Sequence, residues 1–318
     1  MSEIVDVSVC ITTFNQKAYI ARCLDSAVSQ LPGKCLEVLV GDDGSDDGTR
    51  DIVKSYAARY PERIVPVFHE QNLGPSGNYR ALIGRSRGRY VAHLDGDDYW
   101  LPGKLARQIE ILEQSRANPA VVGNAFVIDS RGVPLGLFTS NTNEAIDLDF
   151  LLERGNFLCH GSLVYRAEFK ERILTIPGNF VDYMILIRLA AVAPLAYVPE
   201  PLVVYLWNSP ISMRATMTPL VGENYWEAML EALRLGASPR AFRRCTVRFL
   251  ERIASNSVAQ LRMRPCVDWI ARVRKESPVP VGAAVLTGLV RTPLALGRLL
   301  RRRIGGRLFP RICVFYPR

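Results

Sequence analysis

Gly88-Arg89-Tyr90-Val91-Ala92-His93-Leu94-Asp95-Gly96-Asp97-Asp98-Tyr99-Trp100 is an apolar run that stops abruptly on a cluster of acids. Such a run predicts a strand over residues 89–94, because a short, nearly continuous apolar stretch bounded by turn residues suits a strand covered on both faces. The cluster then lies at that strand's carboxyl end. Working outward, the same arrangement repeats. A predicted strand over 5–11 leads into Thr12-Thr13-Phe14-Asn15, and one over 36–41 leads into Asp42-Asp43-Gly44-Ser45. Further strands are predicted at 64–68 and 121–128. Between the first two, Ile20, Cys23, Leu24, Ala27, Val28 and Leu31 recur at helical spacing until Pro32-Gly33. Ile52, Val53, Tyr56, Ala57 and Tyr60 mark a second helix, with Asp46 or Asp47 available to cap it and Pro61 to end it. Two more helices are predicted at 76–86 and 104–115. Strands alternating with helices predict an α/β fold: a Rossmann-like, mostly parallel sheet flanked by helices. Ligands of such sheets bind beyond the carboxyl ends of the strands, where loops and helix amino termini converge. Three separate strands therefore deliver polar groups to one edge.

The rest of the chain is read by pattern and charge. Residues 1–215 are expected to form one domain, with a ligand-binding half over 1–130 and a second half over 131–215. That second half carries an apolar helix at 183–193 and an extended stretch at 196–206. Residues 216–276 read as a helical appendage and 277–318 as a basic amphipathic tail. The formal net charge is +9, but residues 291–318 contain eight arginines and no acid, which leaves +1 for residues 1–290. A body so balanced has no stripe for following a phosphate backbone, so nucleic acid is not an expected partner. The apolar run at 278–290 is too short to span a bilayer, and with the arginines after it the tail reads as a segment lying on an anionic membrane surface. A solvated basic helix or a subunit contact is the alternative. Seven scattered cysteines with no C-x-x-C pair suggest neither a disulfide framework nor a thiolate zinc site. With no signal-peptide pattern at the start, the expectation is a cytoplasmic protein, peripheral on the inner face of the cell membrane.

Asp95 and Asp97, spaced by one glycine after a strand, can face the same divalent ion. Mg²⁺ and Mn²⁺ take hard oxygen ligands and share their shells readily with diphosphate oxygens. The metal would neutralise a departing diphosphate, which is the principal help that glycosyl transfer from a nucleotide needs. The second cluster, Asp42 to Thr49, could hydrogen-bond a base and ribose, or be a capped turn.

Taken together, the run Val7 to Asn15, then Val40-Gly41-Asp42-Asp43-Gly44-Ser45, then Asn72-Leu73-Gly74, then Gly88 to Trp100 resembles glycosyltransferase family 2, inverting enzymes of GT-A fold. Asn78, Asp98-Tyr99-Trp100 and Lys104-Leu105 with Gln108 are similar to the branch that builds bacterial surface polysaccharides. The resemblance implies a nucleotide-diphosphate sugar donor, a UDP-sugar, and a saccharide acceptor, with Mn²⁺ or Mg²⁺ as cofactor; the basic tail makes a membrane-bound, lipid-linked saccharide the expected acceptor. It implies that Thr12, Thr13, Phe14, Asn15, Asp42, Asp43, Asn72 and Asn78 line the nucleotide-sugar pocket with Asp95, Gly96 and Asp98. Asp97 would be the principal metal ligand, supported by Asp95. The segment Asn179 to Ala190 is similar to the one whose acid deprotonates the acceptor, which makes Asp182 the candidate base; where the family often has Glu-Asp, this chain has Val181-Asp182. His160 and Trp100 would fall on the acceptor side. Relatives often carry a His after the extended stretch, but Tyr205-Leu206-Trp207-Asn208 offers none, so water or a clamp by Arg214 on the diphosphate would complete the metal site. His69 and His93 read as structural.

Other classes fit less well. A nucleotidyltransferase would want a Gly-rich loop with a basic residue after the first strand, and a dinucleotide oxidoreductase would want G-x-G-x-x-G there. Thr12-Thr13-Phe14-Asn15 is neither. A catalytically inactive binding or scaffolding protein of the same fold would have no reason to keep Asp95, Asp97 and Asp182 together.

Overall fold

The computed structural model describes residues 5–31, 35–207, 219–282 and 313–316. In chain order the first half runs β1 (Val7–Thr13), α1 (Ile20–Val28), β2 (Leu36–Asp42), α2 (Thr49–Arg59), β3 (Ile64–Phe68), α3 (Gly74–Arg85), β4 (Tyr90–Asp95), β5 (Tyr99–Trp100), α4 (Lys104–Gln114) and β6 (Ala120–Ile128). There follow β7 (Pro134–Thr139), β8 (Ala145–Ile146), α5 (Leu148–Arg154), β9 (Val164–Arg166), α6 (Lys170–Leu174), α7 (Asp182–Ala190) and β10 (Leu195–Leu206). The last elements are α8 (Pro219–Arg234), α9 (Pro239–Ala259), α10 (Arg264–Glu276) and β11 (Cys313–Tyr316).

The apolar runs become strands buried on both faces, because helices cover them. Every residue of β2 is buried, and α1 lays Ile20, Cys23, Leu24, Ala27 and Val28 on the sheet. The sheet order is β11-β7-β6-β9-β4-β1-β2-β3. From β3 to β4 all pairing is parallel, as expected of consecutive βα units. Beyond β4 the sheet is mixed. The short β9 lies between β4 and β6, antiparallel to both, while β10 runs parallel to β6 and antiparallel to β5 and β8. The mostly parallel sheet thus belongs to the first half of the chain. At the opposite end from the acid clusters, buried Glu37 ties the strands together. It accepts from the Ser8 hydroxyl, the Arg87 amide and the Arg87 guanidinium, while Ser8 accepts from the Gly88 amide.

Contacts divide the chain into two units. One comprises Met1–Asp147, Phe157–Ala228 and Ile312–Arg318; the other comprises Leu148–Asn156 and Met229–Arg311. The sequence reading ran its first domain unbroken to residue 215. The structure instead takes α5 out of it, because α5 is bound to α9: the Ser238 amide donates to Asp149 Oδ1 at 2.7 Å, and Arg244 pairs with Glu153 at 2.6 Å. Within this second unit Ser238 caps α9 through the Ala241 amide, Pro239 occupies the first turn, and Phe249 packs edge-on against Trp269 at 4.9 Å. No described helix is long and apolar enough to cross a membrane. Most of the predicted tail, residues 283–312, lies outside the described residues, as does Arg214.

Candidate active site at the carboxyl edge of the parallel strands

Parallel register sets the site. Thr12 of β1 is paired with Gly41 of β2 on one side and Asp95 of β4 on the other, and Thr13 is paired with Asp42. The three polar clusters read from the sequence therefore lie abreast on adjacent strands. Backbone bonds lock the exits: Gly96 N–H donates to Thr12 O at 2.9 Å and Asp43 N–H to Thr13 O at 3.0 Å. Asn15 turns the chain in the left-handed region (φ 50°) and bridges to the next loop. Its amide donates to Ser45 Oγ at 2.9 Å and its Oδ1 accepts from the Asp46 amide at 3.0 Å. Phe14 is half-buried beside it, and Asp47, one residue outside α2, accepts from the amides of Thr49 and Lys17.

Asp95 is half-exposed, and its Oδ1 accepts twice, from Thr12 Oγ1 at 3.2 Å and from His93 Nε2 at 3.1 Å. Burial opposes ionisation of this carboxyl, but the His93 charge and hydrogen bond, with lesser help from His160 and Thr12, bring it down to about 2. Thus His93, read from sequence as structural, orients the first acid of the pair. Residues i and i+2 of a strand share a face, so Asp95 two positions after His93 was the available signal. His93 in turn packs against His160 with ring centroids 4.2 Å apart and planes tilted by 37°, and Tyr79 meets it edge-on at 4.6 Å. Burial, then the neighbouring His93, push the His160 imidazole well below its usual range. His160, on the short 3-10 turn His160–Ser162, accordingly belongs to a ring cluster with His93 and Tyr79 beside Asp95.

Gly96 explains the spacing of the acids. A Cβ there would come within 2.4 Å of Gln16 Oε1 and 2.9 Å of Thr13 Cβ, so only glycine fits between Asp95 and Asp97. Thr13 Oγ1 and Gln16 Oε1, both buried at this point, have no partner among the described residues. Asp97 is half-buried.

Four expected pocket residues are placed as supports. Asp42 is fully buried, and its Oδ1 accepts from the Ser45 amide and from Arg50 Nε and Nη2 at 3.1, 3.1 and 3.0 Å. It therefore shapes the loop instead of presenting a carboxylate at the edge. Asn78 is 2 % exposed and consumed on both sides: Nδ2 donates to Gly41 O at 2.8 Å and Oδ1 pairs with His69 Nε2 at 3.1 Å. Gly41 makes room for it, since a Cβ would lie 2.0 Å from Asn78 Oδ1. Asp98 is buried with Oδ1 accepting from the Leu206 amide at 2.8 Å. Burial and the adjacent Asp97 and Asp95 push its carboxyl well above the usual range, and through Oδ1 it tethers the end of β10 instead of facing a sugar. Trp100, expected on the acceptor side, is a core residue whose Nε1 donates to Gly161 O at 2.7 Å.

Asp43 and Asn72 hold the entry to α3. Asp43 Oδ1 accepts from the Leu73 amide at 2.7 Å, and Asn72 Oδ1 from the Gly74 amide at 3.0 Å. A few residues on, Ser76 Oγ donates to Phe180 O and accepts from the Phe180 amide, both at 2.9 Å. Arg80 adds bonds to the carbonyls of Ile176 and Gly178. The loop that delivers Asp182 is thereby clasped to the helix that begins beside Asp43. Asp182 opens α7, is half-buried, and accepts from the Tyr183 amide at 2.9 Å. It serves as the acid of the helix's first turn while remaining partly exposed. Asp149 and Glu153, the acids of α5, are committed to Ser238 and Arg244 as described above.

The described residues hold no cluster of three His, Cys, Asp or Glu around one point. Two carboxylates on a glycine turn still suit Mg²⁺ or Mn²⁺, which favour oxygen donors and leave several positions to water and phosphate.

A parallel βαβ half with acids at its carboxyl edge, joined to a mixed second half, is the GT-A arrangement of glycosyltransferases. Residues 8–174 match the model of Glycosyl transferase family 2, and the chain belongs to that family. An uncharacterised protein of Mycobacterium tuberculosis is 32% identical over 213 residues, covering 64% of this chain and 61% of that protein. The putative teichuronic acid biosynthesis glycosyltransferase TuaG of Bacillus subtilis is 35% identical over 162 residues, covering 51% and 63%. The chain thus spans under two thirds of the length of these curated relatives. The crystal structure of S. aureus TarS 1-349 in complex with UDP-GlcNAc superposes with a TM-score of 0.69 over 95% of this chain and 92% of that one. At 18% identity that likeness is one of fold.

Proposed function

We propose that this chain transfers a sugar, with inversion, from a nucleotide-diphosphate donor to a saccharide hydroxyl in the making of a bacterial surface polysaccharide. The observation that carries the reading is the parallel register that sets Thr12, Asp95 and the Asp43 loop abreast on three strands. The donor is a UDP-sugar. Thr12, Phe14, Asn15 and Asp43 face its nucleoside, and Asp97 with Asp95 would hold the Mn²⁺ or Mg²⁺. That ion, when bound, neutralises the diphosphate as it leaves. His93 and Thr12 fix Asp95 through one oxygen and so leave the other for the ligand. Asp182 takes the proton of the acceptor hydroxyl as that oxygen attacks the anomeric carbon, on the face opposite the departing diphosphate. The acceptor is lipid-linked, and the arginine-rich residues 291–318 keep the enzyme at the membrane surface where it is made.

The test is release of the nucleotide, a nucleoside diphosphate from UDP-, GDP- and dTDP-sugars or CMP from CMP-sugars, with Mn²⁺, with and without a membrane lipid extract as acceptor. Release from a UDP-sugar, accelerated by the extract, is expected. Release from none of them, by a protein that still melts cooperatively, overturns the reading.

A further inference from the structure

The second unit differs from the first in charge. Residues 229–282 contain ten arginines and a lysine against four acids, whereas residues 1–228 carry six more acids than bases. The arginines are ordered. Apart from Pro239, the exposed residues described on α9 are Arg240, Arg243, Arg244, Arg248 and Arg252, a stripe at helical spacing along one face. Arg244 and Arg248 are held by Glu153 of α5, through its carboxylate and its carbonyl.

At the end of this stripe the chain turns from α9 into α10, and there the surface becomes apolar. Leu261, Met263 and Val267 are 92%, 52% and 61% exposed. They make up three of the eight large exposed apolar residues described in the whole chain, within seven positions of one another. The turn presents them on purpose-built geometry. Leu261 N–H donates to Val258 O and Arg262 N–H to Ser257 O, the paired bonds of a Schellman helix end. The left-handed position of that motif usually holds glycine; here it is Leu261, at φ 54°. The apolar contact that normally accompanies the motif is missing, because the positions that would make it are Arg262 and Ser257. Leu261 and Met263 alternate with Arg262 and Arg264, and the one acid nearby, Asp268, lies 3.9 Å from Arg264.

We propose that the α9–α10 turn is a docking tip for an anionic lipid surface. Leu261 and Met263 enter the interfacial layer, Val267 follows on the first turn of α10, and Arg262, Arg264 and the α9 stripe meet the headgroup phosphates. A soluble polyanion would satisfy the arginines but gives no reason to hold leucine and methionine in water. A bilayer interface rewards both. The proposal rests on residues of α9, α10 and the turn between them, not on the arginine-rich residues 291–318, and it stands whether or not the sugar-transfer reading does.

The test uses the full-length chain. Met263→Trp is mixed with vesicles of phosphatidylcholine alone or with phosphatidylglycerol, with and without brominated acyl chains. A blue-shifted emission from the new tryptophan, quenched by bromine in the anionic vesicles and absent with phosphatidylcholine, is expected. In parallel, Leu261→Ser with Met263→Ser should weaken co-sedimentation with anionic vesicles by about tenfold or more, with an unchanged melting temperature, since each buried side chain of this size accounts for roughly that factor. If the protein binds the vesicles while the new tryptophan's emission is unmoved, or if the serine pair binds equally well, another segment makes the contact and the proposal falls. It falls also if the serine pair instead lowers the mass measured by light scattering, which would seat a second copy on the tip.

Discussion

Replacing Lys104 by methionine should stabilise this protein, and the gain should depend on pH. Lys104 has no exposed surface, its Nζ has no hydrogen-bond partner among the described residues, and it lies 3.9 Å over the Trp100 ring. A desolvated cation–π contact contributes about 2 kcal/mol or somewhat more, whereas burying an ion with no hydrogen-bond partner costs several. The comparison makes the buried amine neutral, and burial accordingly pulls its pKa well below 10.5, with only a partial counter-effect from Cys159. Between its folded-state pKa and 10.5 the unfolded chain binds a proton that the folded one does not. Wild-type stability therefore rises with pH across that window, at up to about 1.4 kcal/mol per pH unit for this one group, and levels off above it. Methionine fills a similar volume, keeps contact with the ring and has no proton to lose. At pH 7 Lys104→Met should be more stable by several kcal/mol, that slope summed from pH 7 toward 10.5, at about 2–4 °C in melting temperature per kcal/mol. The advantage should narrow as the pH approaches 10. Thermal melts of both proteins from pH 6 to 10 decide it. A methionine variant that is less stable throughout, or a gap that does not narrow, would mean that Lys104 is charged and held by a partner, and the reasoning would fail.

Other expectations concern the site. Asp182→Asn should leave nucleotide binding unchanged by calorimetry and lower turnover by a factor on the order of 10²–10⁴, the usual reach of a general base; full turnover would place the base elsewhere. Gly96→Ala should weaken nucleotide binding with a loss of about 1–3 kcal/mol in stability, because the new methyl meets Gln16 and Thr13. Gly88→Ala should be worse for folding, since its neighbours at 2.4 and 2.7 Å are backbone atoms of β1 that cannot rotate away. Comparing soluble yield and melting temperature of the two variants checks the order. Glu37→Ala should cost about 1–3 kcal/mol for the buried Ser8 hydroxyl that it orphans, the Arg87 amide keeping Ser8 Oγ as acceptor, and a denaturant titration reads the loss.

How far the sequence foretold this site depends on which interactions are local. The strand at Ile64–Phe68 was read to the residue, and the three acid and threonine clusters fell on one edge because parallel βα units leave no other arrangement. The Asp-Gly-Asp spacing was legible too; why it must be glycine was not, since Gln16 and Thr13 meet Gly96 only through the β1–β4 pairing. Adjacent Asp42 and Asp43 look alike in sequence and both are buried, but Asp42 is bound by Arg50, brought across by α2, and Asp43 by the Leu73 amide at the entry to α3. The three-residue β9 is too short to show a period, and its place between β4 and β6 follows from neighbours more than forty residues away. For the same reason α5 read as part of the first domain. Its attachment to α9 rests on Glu153 meeting Arg244, a pairing no local pattern announces.

The central claim is that the edge formed by β1, β2 and β4 binds a nucleoside diphosphate together with a divalent ion held by Asp97 and Asp95. Melting the wild type and Asp97→Ala with UDP, Mn²⁺, or both tests it most directly. The account predicts a rise for wild type with both present, on the order of 2.7 kcal/mol at a hundred times the dissociation constant, and little or none for the variant. An equal rise in the two proteins, or none in either with any nucleoside diphosphate, would contradict it.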